Sequence, residues 1–258
     1  VVDCLSVVSA TNSAYLAANC HSLTIGKSVV TSRDTDRAVD YYPSVVGGAV
    51  LADGASVELS STDLTVWSGT WRYAYAGNIL TSGGVTPRTI TGNTSLTVNG
   101  GVYTGGVSAN GMNHLTGDAT LTVNGGVFKC SVYGTAVASP SVGKTARKKG
   151  NVTVTLNRGE FRGDLLFAQR DEDVEFEGRY VLTVAGGDIS RVNAIRGIDS
   201  LAKNTGAESE LNLSTEISTT APQSGTVTVE NPIAGFADPS VYFHDGWYYY
   251  TYSRDYNG

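Results

Sequence analysis

The sequence predicts an all-β protein, a right-handed parallel β-helix (a solenoid) that ends in a β-hairpin. Three observations carry that reading. The chain of 258 residues holds 31 Gly, 14 Tyr and one Met, and it is rich in valine and threonine, a composition suited to strands rather than helices. Apolar and polar residues alternate over short stretches, the period of a half-buried strand. One block then recurs every 25–33 residues, too closely for propeller blades of ~40–45 residues and too unevenly for a hexapeptide helix.

Taken in chain order, residues 1–50 are expected to form an N-terminal cap and the first turns. Residues 23–25 (Leu-Thr-Ile) read as a strand and residues 13–19 (Ser-Ala-Tyr-Leu-Ala-Ala-Asn) as a short helix. Residues 51–230 carry the repeat. Gly92-Asn-Thr-Ser-Leu96-Thr-Val98-Asn-Gly100-Gly-Val-Tyr103 is followed by equivalent blocks from Gly117 to Phe128, Gly150 to Phe161 and Gly178 to Ile189. A weaker copy runs from Leu64 to Trp71, and Leu211-Asn-Leu213 reads as a decayed last one.

The period of two assigns the faces. Leu96/Val98, Leu121/Val123, Val154/Leu156 and Leu182/Val184 point inward, and Leu96, Leu121, Val154 and Leu182 should stack as one interior column. Glycines after each strand permit a corner closed to other residues. Tyr103, Phe128, Phe161 and Ile189 then return a large side chain to the core. Such strand pairs cannot bury their apolar faces alone, so copies must stack.

On the outward face, Asn99, Asn124 and Asn157 share one repeat position, and a ladder of stacked amides explains them without a ligand. The threonines beside them form a flat polar lattice, a surface suited to a polysaccharide or to ice. Asp171-Glu-Asp-Val-Glu-Phe-Glu177 is the densest acidic run. It reads as a solvated loop, the alternative being calcium binding or acid–base chemistry. Arg147-Lys148-Lys149 reads as a loop tip. Ser141-Val-Gly143-Lys144-Thr145 imitates a phosphate-binding loop but has Ala138 where the pattern needs glycine, and it leads to a strand. His21, His114 and His244 form no metal or triad constellation, so no metal and no cofactor are expected. The sequons at Asn93, Asn151 and Asn212 are matches that the repeat composition itself generates. For Cys4, Cys20 and Cys130 two readings stand: a Cys4–Cys20 disulfide with a free Cys130, or buried inert thiols. The net charge of −6 argues against a nucleic-acid partner, and no apolar run approaches the ~20 residues of a membrane helix.

After Glu230 the repeat is gone. Asn231-Pro-Ile-Ala-Gly235-Phe-Ala-Asp238-Pro239 leads into residues 240–244 and 247–253, two strands around Asp245-Gly246, a strong hairpin signal. The ordered series Asn-Pro, Ala-Asp-Pro, Asp-Gly and Tyr-Tyr resembles the opening of glycoside hydrolase family 43. The resemblance implies the first hairpin of a five-bladed propeller, here incomplete, over residues 231–258. It also implies an arabinofuranosidase- or xylosidase-type activity in which Asp238 is the general base of an inverting mechanism. Such hydrolysis needs a second carboxyl as acid, and none in this chain corresponds to it. The repeats in turn are similar to those of secreted bacterial β-helix proteins.

The expected protein is therefore an accessory β-helix module of a secreted or cell-surface carbohydrate-active protein, inactive by itself, with an arabinose- or xylose-containing polysaccharide as partner. Two rival readings are a structural adhesin or filament subunit assembling head-to-tail through residues 231–258, and a polysaccharide-degrading enzyme whose site lies on the β-helix.

Overall fold

The computed structural model describes residues 6–9, 14–33, 42–51, 59–80, 88–136, 146–168, 174–203, 216–218, 228–229, 240–244 and 247–251. Among them every regular element is a strand. All strand pairings are parallel except one.

The strands fall into three ladders that the chain visits in turn. The first stacks Ser22–Ile25, Thr62–Val66, Thr94–Val98, Ala119–Phe128, Val152–Phe161, Tyr180–Val184, Ser200–Lys203 and Thr228–Val229. The second stacks Tyr15–Ala17, Ser44–Val46, Thr70–Tyr75, Val102–Ser108, Val132–Thr135, Leu165–Ala168, Ala194–Arg196 and Glu216–Ser218. Strands long enough to turn the corner join these two into a single 16-stranded sheet. The third ladder is Thr89–Ile90, His114–Leu115, Ala146–Lys148 and Val174–Phe176. Two short pairs, Ser6–Ser9 with Val30–Arg33 and Val50–Leu51 with Ile79–Leu80, complete the repeat region.

Registers follow the sequence repeat except at two bulges, one where Asn124 pairs with Arg158 and one between Tyr103 and Gly106. Leu64, Leu96, Leu121, Val154 and Leu182 are direct neighbours across the first ladder, and each is at most 1% exposed. Tyr103, Phe128 and Phe161 stack with centroids 5.0 and 4.7 Å apart and planes within 12°, below Trp71 in the same register. The polar tips of the first two aromatics find partners at the corner: Trp71 Nε1 donates to Ser68 O at 2.9 Å and Tyr103 Oη to Gly100 O at 2.8 Å. Gly69, Gly101, Gly126, Gly159 and Gly187 occupy that corner with φ between 97° and 133°, a region that only glycine enters freely. A second column, Gly92, Gly117, Gly150 and Gly178, allows close approach instead: a Cβ on Gly150 would overlap the Gly117 carbonyl oxygen.

Two expectations are corrected. The helix over residues 13–19 is the strand Tyr15–Ala17, paired with Ser44–Val46, and left-handed Asn19 and Cys20 then end it. Backbone pairing with the next repeat overrides the local alanine propensity. The decayed copy expected at Leu211-Asn-Leu213 lies outside the described residues; in the first ladder Leu201 lies beside Leu182 and Val229 beside Leu201. The basic triplet 147–149 is no loop tip, because Arg147 and Lys148 belong to the strand Ala146–Lys148.

The exceptional pairing is the antiparallel hairpin of Ser240–His244 with Trp247–Thr251, in which His244 faces Trp247. It forms a two-stranded sheet of its own. Among the described residues it pairs with no strand of the repeat region.

Candidate functional site

The outward face of the first ladder is the most regular surface of the molecule. Thr24, Thr65, Thr97, Thr122, Thr155 and Thr183 lie in one register row, all half-buried. Trp67 and Asn99 follow the strands Thr62–Val66 and Thr94–Val98, and Asn124 and Asn157 hold the equivalent repeat position within Ala119–Phe128 and Val152–Phe161. The asparagines form the expected amide ladder: Asn124 Nδ2 donates to Asn99 Oδ1 at 2.9 Å, and Asn157 Nδ2 to Asn124 Oδ1 at 2.8 Å. Strands in a ladder are ~4.7–4.9 Å apart, a spacing an amide spans with a good hydrogen bond. Trp67 is 40% exposed, and Lys27 Nζ sits 4.8 Å from its ring centroid. Along the asparagine row the one charged residue is Arg158, exposed and paired with Asn124 across a bulge; Asp63 and Lys27 stand at the Trp67 end.

The asparagines of the sequons have a structural task on the same ladder. Asn93 Oδ1 accepts from Asp118 N at 2.9 Å, Asp118 Oδ1 from Asn151 N at 2.8 Å, and Asn151 Oδ1 from Arg179 N at 3.1 Å. Each loop entering a strand is thus held by the repeat before it. Asn212 lies outside the described residues.

The second ladder carries an outward aromatic cluster that the sequence reading missed. Tyr73 and Tyr75 pack with centroids 5.3 Å apart, and Arg72 lies 5.0 Å from the Tyr73 centroid. Tyr73, Tyr75 and Tyr133 lean over Gly106, where a Cβ would sit 3.2–3.5 Å from all three. Tyr75 is 3% exposed, and burial raises its hydroxyl pKa well above the ordinary value. The signal was hidden by a change of phase. Trp71 and Ala74, three residues apart, both point inward, so simple alternation along this strand puts Tyr73 and Tyr75 on the wrong face.

The third ladder pairs the basic triplet with the acidic run. Arg147 Nε lies 2.9 Å from Glu175 and Lys149 Nζ 3.9 Å from Glu177, while His114 Nδ1 accepts from Arg147 N at 3.0 Å. Burial, then Lys148 and Arg147, depress the His114 pKa. Asp171, Glu172 and Asp173 lie outside the described residues, as do Ser141 to Thr145. Between Arg147 and Lys149, Lys148 points inward and is 1% exposed. Its ammonium group donates to the carbonyls of Gly111, at 3.2 Å, and Asn113, and burial alone pulls its pKa well down. Around it Asn78, Asn110 and Asn113 are fully buried. Asn78 Nδ2 and both amide atoms of Asn110 have no hydrogen-bond partner among the described residues.

Cys20 is a free, half-buried thiol and Cys130 a free, buried one; burial pushes Cys130 up to about 12. Cys4 lies outside the described residues. Among those residues no three His, Cys, Asp or Glu side chains gather as a metal site, and no helix is long and apolar enough to cross a membrane. Asp238 also lies outside them, so the residue that the resemblance implies as base has no described surroundings. No protein-family model, curated protein or solved structure matches the chain.

Proposed function

We propose that the repeat region is a right-handed parallel β-helix acting as a glycan-holding accessory module of a secreted carbohydrate-active protein. Residues 231–258 are then the start of a family 43-like glycosidase domain, with Asp238 its general base and arabinose- or xylose-containing glycans its substrates. The observation that carries the reading is the row of threonines in register across the first ladder, with the hydrogen-bonded asparagines beside it and Arg158 as the one charge among them. Such a face offers hydroxyl and amide groups at a fixed repeat, and a neutral polyol binds it without stripping water from an ion. A site on the acidic run is less well supported, because Glu175 and Glu177 are engaged by Arg147 and Lys149.

Affinity electrophoresis of the chain through gels containing arabinan, xylan or no polysaccharide tests the reading. Retardation by either glycan is the expected result; equal mobility in all three gels overturns it. In the same preparation, aryl arabinofuranosides and xylosides should not be turned over, since one carboxyl cannot serve as both acid and base.

The hairpin keeps a second reading alive, assembly into head-to-tail filaments. It pairs with no other described strand, and an isolated two-stranded sheet is marginal in water, so strand addition to a neighbouring copy would stabilise it. Removal of residues 231–258 should then convert an oligomer to a monomer on sizing; identical profiles with and without them would end this alternative.

A further inference from the structure

Four side chains lie in line along the first ladder, Trp67, Asn99, Asn124 and Asn157. Resting on the glycan reading above, we infer that this line is the binding track: an unbranched neutral oligosaccharide runs across the strands, with one sugar ring stacked on Trp67 and the following ones bonded to the three amides. Three features point to that ligand. The amides follow one another by direct hydrogen bonds on successive strands, a rise of ~4.7–4.9 Å per strand, close to the advance of an extended pyranoside chain per residue. Each amide keeps capacity to spare. In the ladder Asn124 uses one Nδ2 proton and one Oδ1 lone pair, which leaves a donor and an acceptor for a sugar hydroxyl. Finally, an exposed indole at the end of a polar row is the one place on this face where the apolar C–H surface of a ring is met by an aromatic surface.

Lys27 fits the same picture. Its ammonium group, 4.8 Å from the Trp67 centroid, biases the indole toward this placement. Beyond Asn157 the row ends in Ala185, which has no polar group to offer. The track is therefore four positions long.

The test is a titration of the full chain with xylo-oligosaccharides and 1,5-linked arabino-oligosaccharides of increasing length, read by calorimetry and tryptophan fluorescence. Affinity for at least one series should rise up to the tetrasaccharide and then level off. Trp67→Ala should weaken binding about tenfold or more, as loss of an aromatic anchor does, while Trp67→Phe keeps most of it. Asn124→Ala should weaken it several-fold. Because Trp67 is exposed, the melting temperature of Trp67→Ala should stay near that of the parent, which separates lost binding from lost fold. Trp71 is fully buried, so with Trp247→Phe introduced into both proteins a ligand-induced fluorescence change should vanish in Trp67→Phe. Binding that persists unaltered in Trp67→Ala and Asn124→Ala, or that ignores chain length, overturns the track and leaves the glycan reading standing. Failure of every oligosaccharide and of both polysaccharides to bind overturns the two together.

Discussion

Asn99, Asn124 and Asn157 stand on the outside of the first ladder, whereas Asn78, Asn110 and Asn113 are sealed in the corner that leads to the third. The outer amides bond to one another from strand to strand. The inner ones are tied to backbone: Asn78 Oδ1 accepts from Ala49 N at 2.8 Å and Asn113 Oδ1 from Asn78 N at 3.1 Å, while Asn110 is left with neither amide atom paired. The difference lies in the loops. Where each repeat re-enters the ladder at the same residue, side chains of one type meet automatically. At the inner corner the repeats are out of step in length, so a buried amide meets whatever backbone its own loop places there. Regularity satisfies polar groups at the surface, and its loss leaves them costly inside.

The largest expected effect sits in the regular region. Leu121 lies between Leu96 and Val154, and the corner glycines fix the backbone on either side of it. Such a site collapses little around a void. Leu121→Ala should cost about 2–5 kcal/mol in urea unfolding. A cost near zero would mean that the column is not continuous.

The irregular corner should reveal itself by its dependence on pH. The Lys148 pKa is lowered well below 10.5 in the folded chain, so between that lowered value and 10.5 the unfolded chain binds more protons. Stability from this group therefore rises as pH rises through the window and is lost as pH falls. Lys148→Met removes the group that titrates. Subtracting its stability from that of the parent, pH by pH below 10, should leave a difference that moves in the parent's favour with rising pH. A flat difference would show that the ammonium group is not desolvated. Both measurements should stop short of pH 10, where the buried tyrosines resist ionisation and oppose the trend.

The two regions also differ in how far the sequence revealed them. Period-two strands and paired glycines made the first ladder legible, down to its interior column and its amide ladder, because each local choice repeats what the fold requires. Lys148 was hidden in a basic triplet that reads as solvated, although alternation along a short strand would place its middle residue inside. The copy at Leu201 keeps Gly197, Asn204 and Gly206 at the repeat's offsets but has Lys203 where the others have a second apolar residue, and pairing with Leu182 identifies it. Trp67 was visible as part of a weaker copy, but its place at the head of the asparagine row depends on register. The surroundings of Asp238 lie outside the described residues, and motif resemblance remains its one support.

A smaller effect tests the outer amides. Asn124 has partners on both sides, so Asn124→Ala breaks two hydrogen bonds in a half-exposed setting where water replaces them. The expected loss is about 1 kcal/mol. Asn99→Ala, at the end of the ladder, should cost less than Asn124→Ala, a ranking that independent side chains would not give.

The smallest effect belongs to the exposed ion pairs of the third ladder. Arg147 and Glu175 meet at 2.9 Å, but their side chains are 67% and 59% exposed, so the pair competes with water and with salt. Exposed pairs contribute roughly 0–1 kcal/mol, and Glu175→Gln should fall in that range, shrinking further as ionic strength rises. The substitution also removes the carboxylate that raises the His114 pKa, while the burial and the cations that lower it remain. The His114 titration followed by NMR should therefore move to lower pH in Glu175→Gln even where the stability change is too small to resolve. An unmoved titration would mean that Glu175 is not held near His114 by Arg147, and that the cross-strand pairing of the acidic and basic segments does not persist in solution.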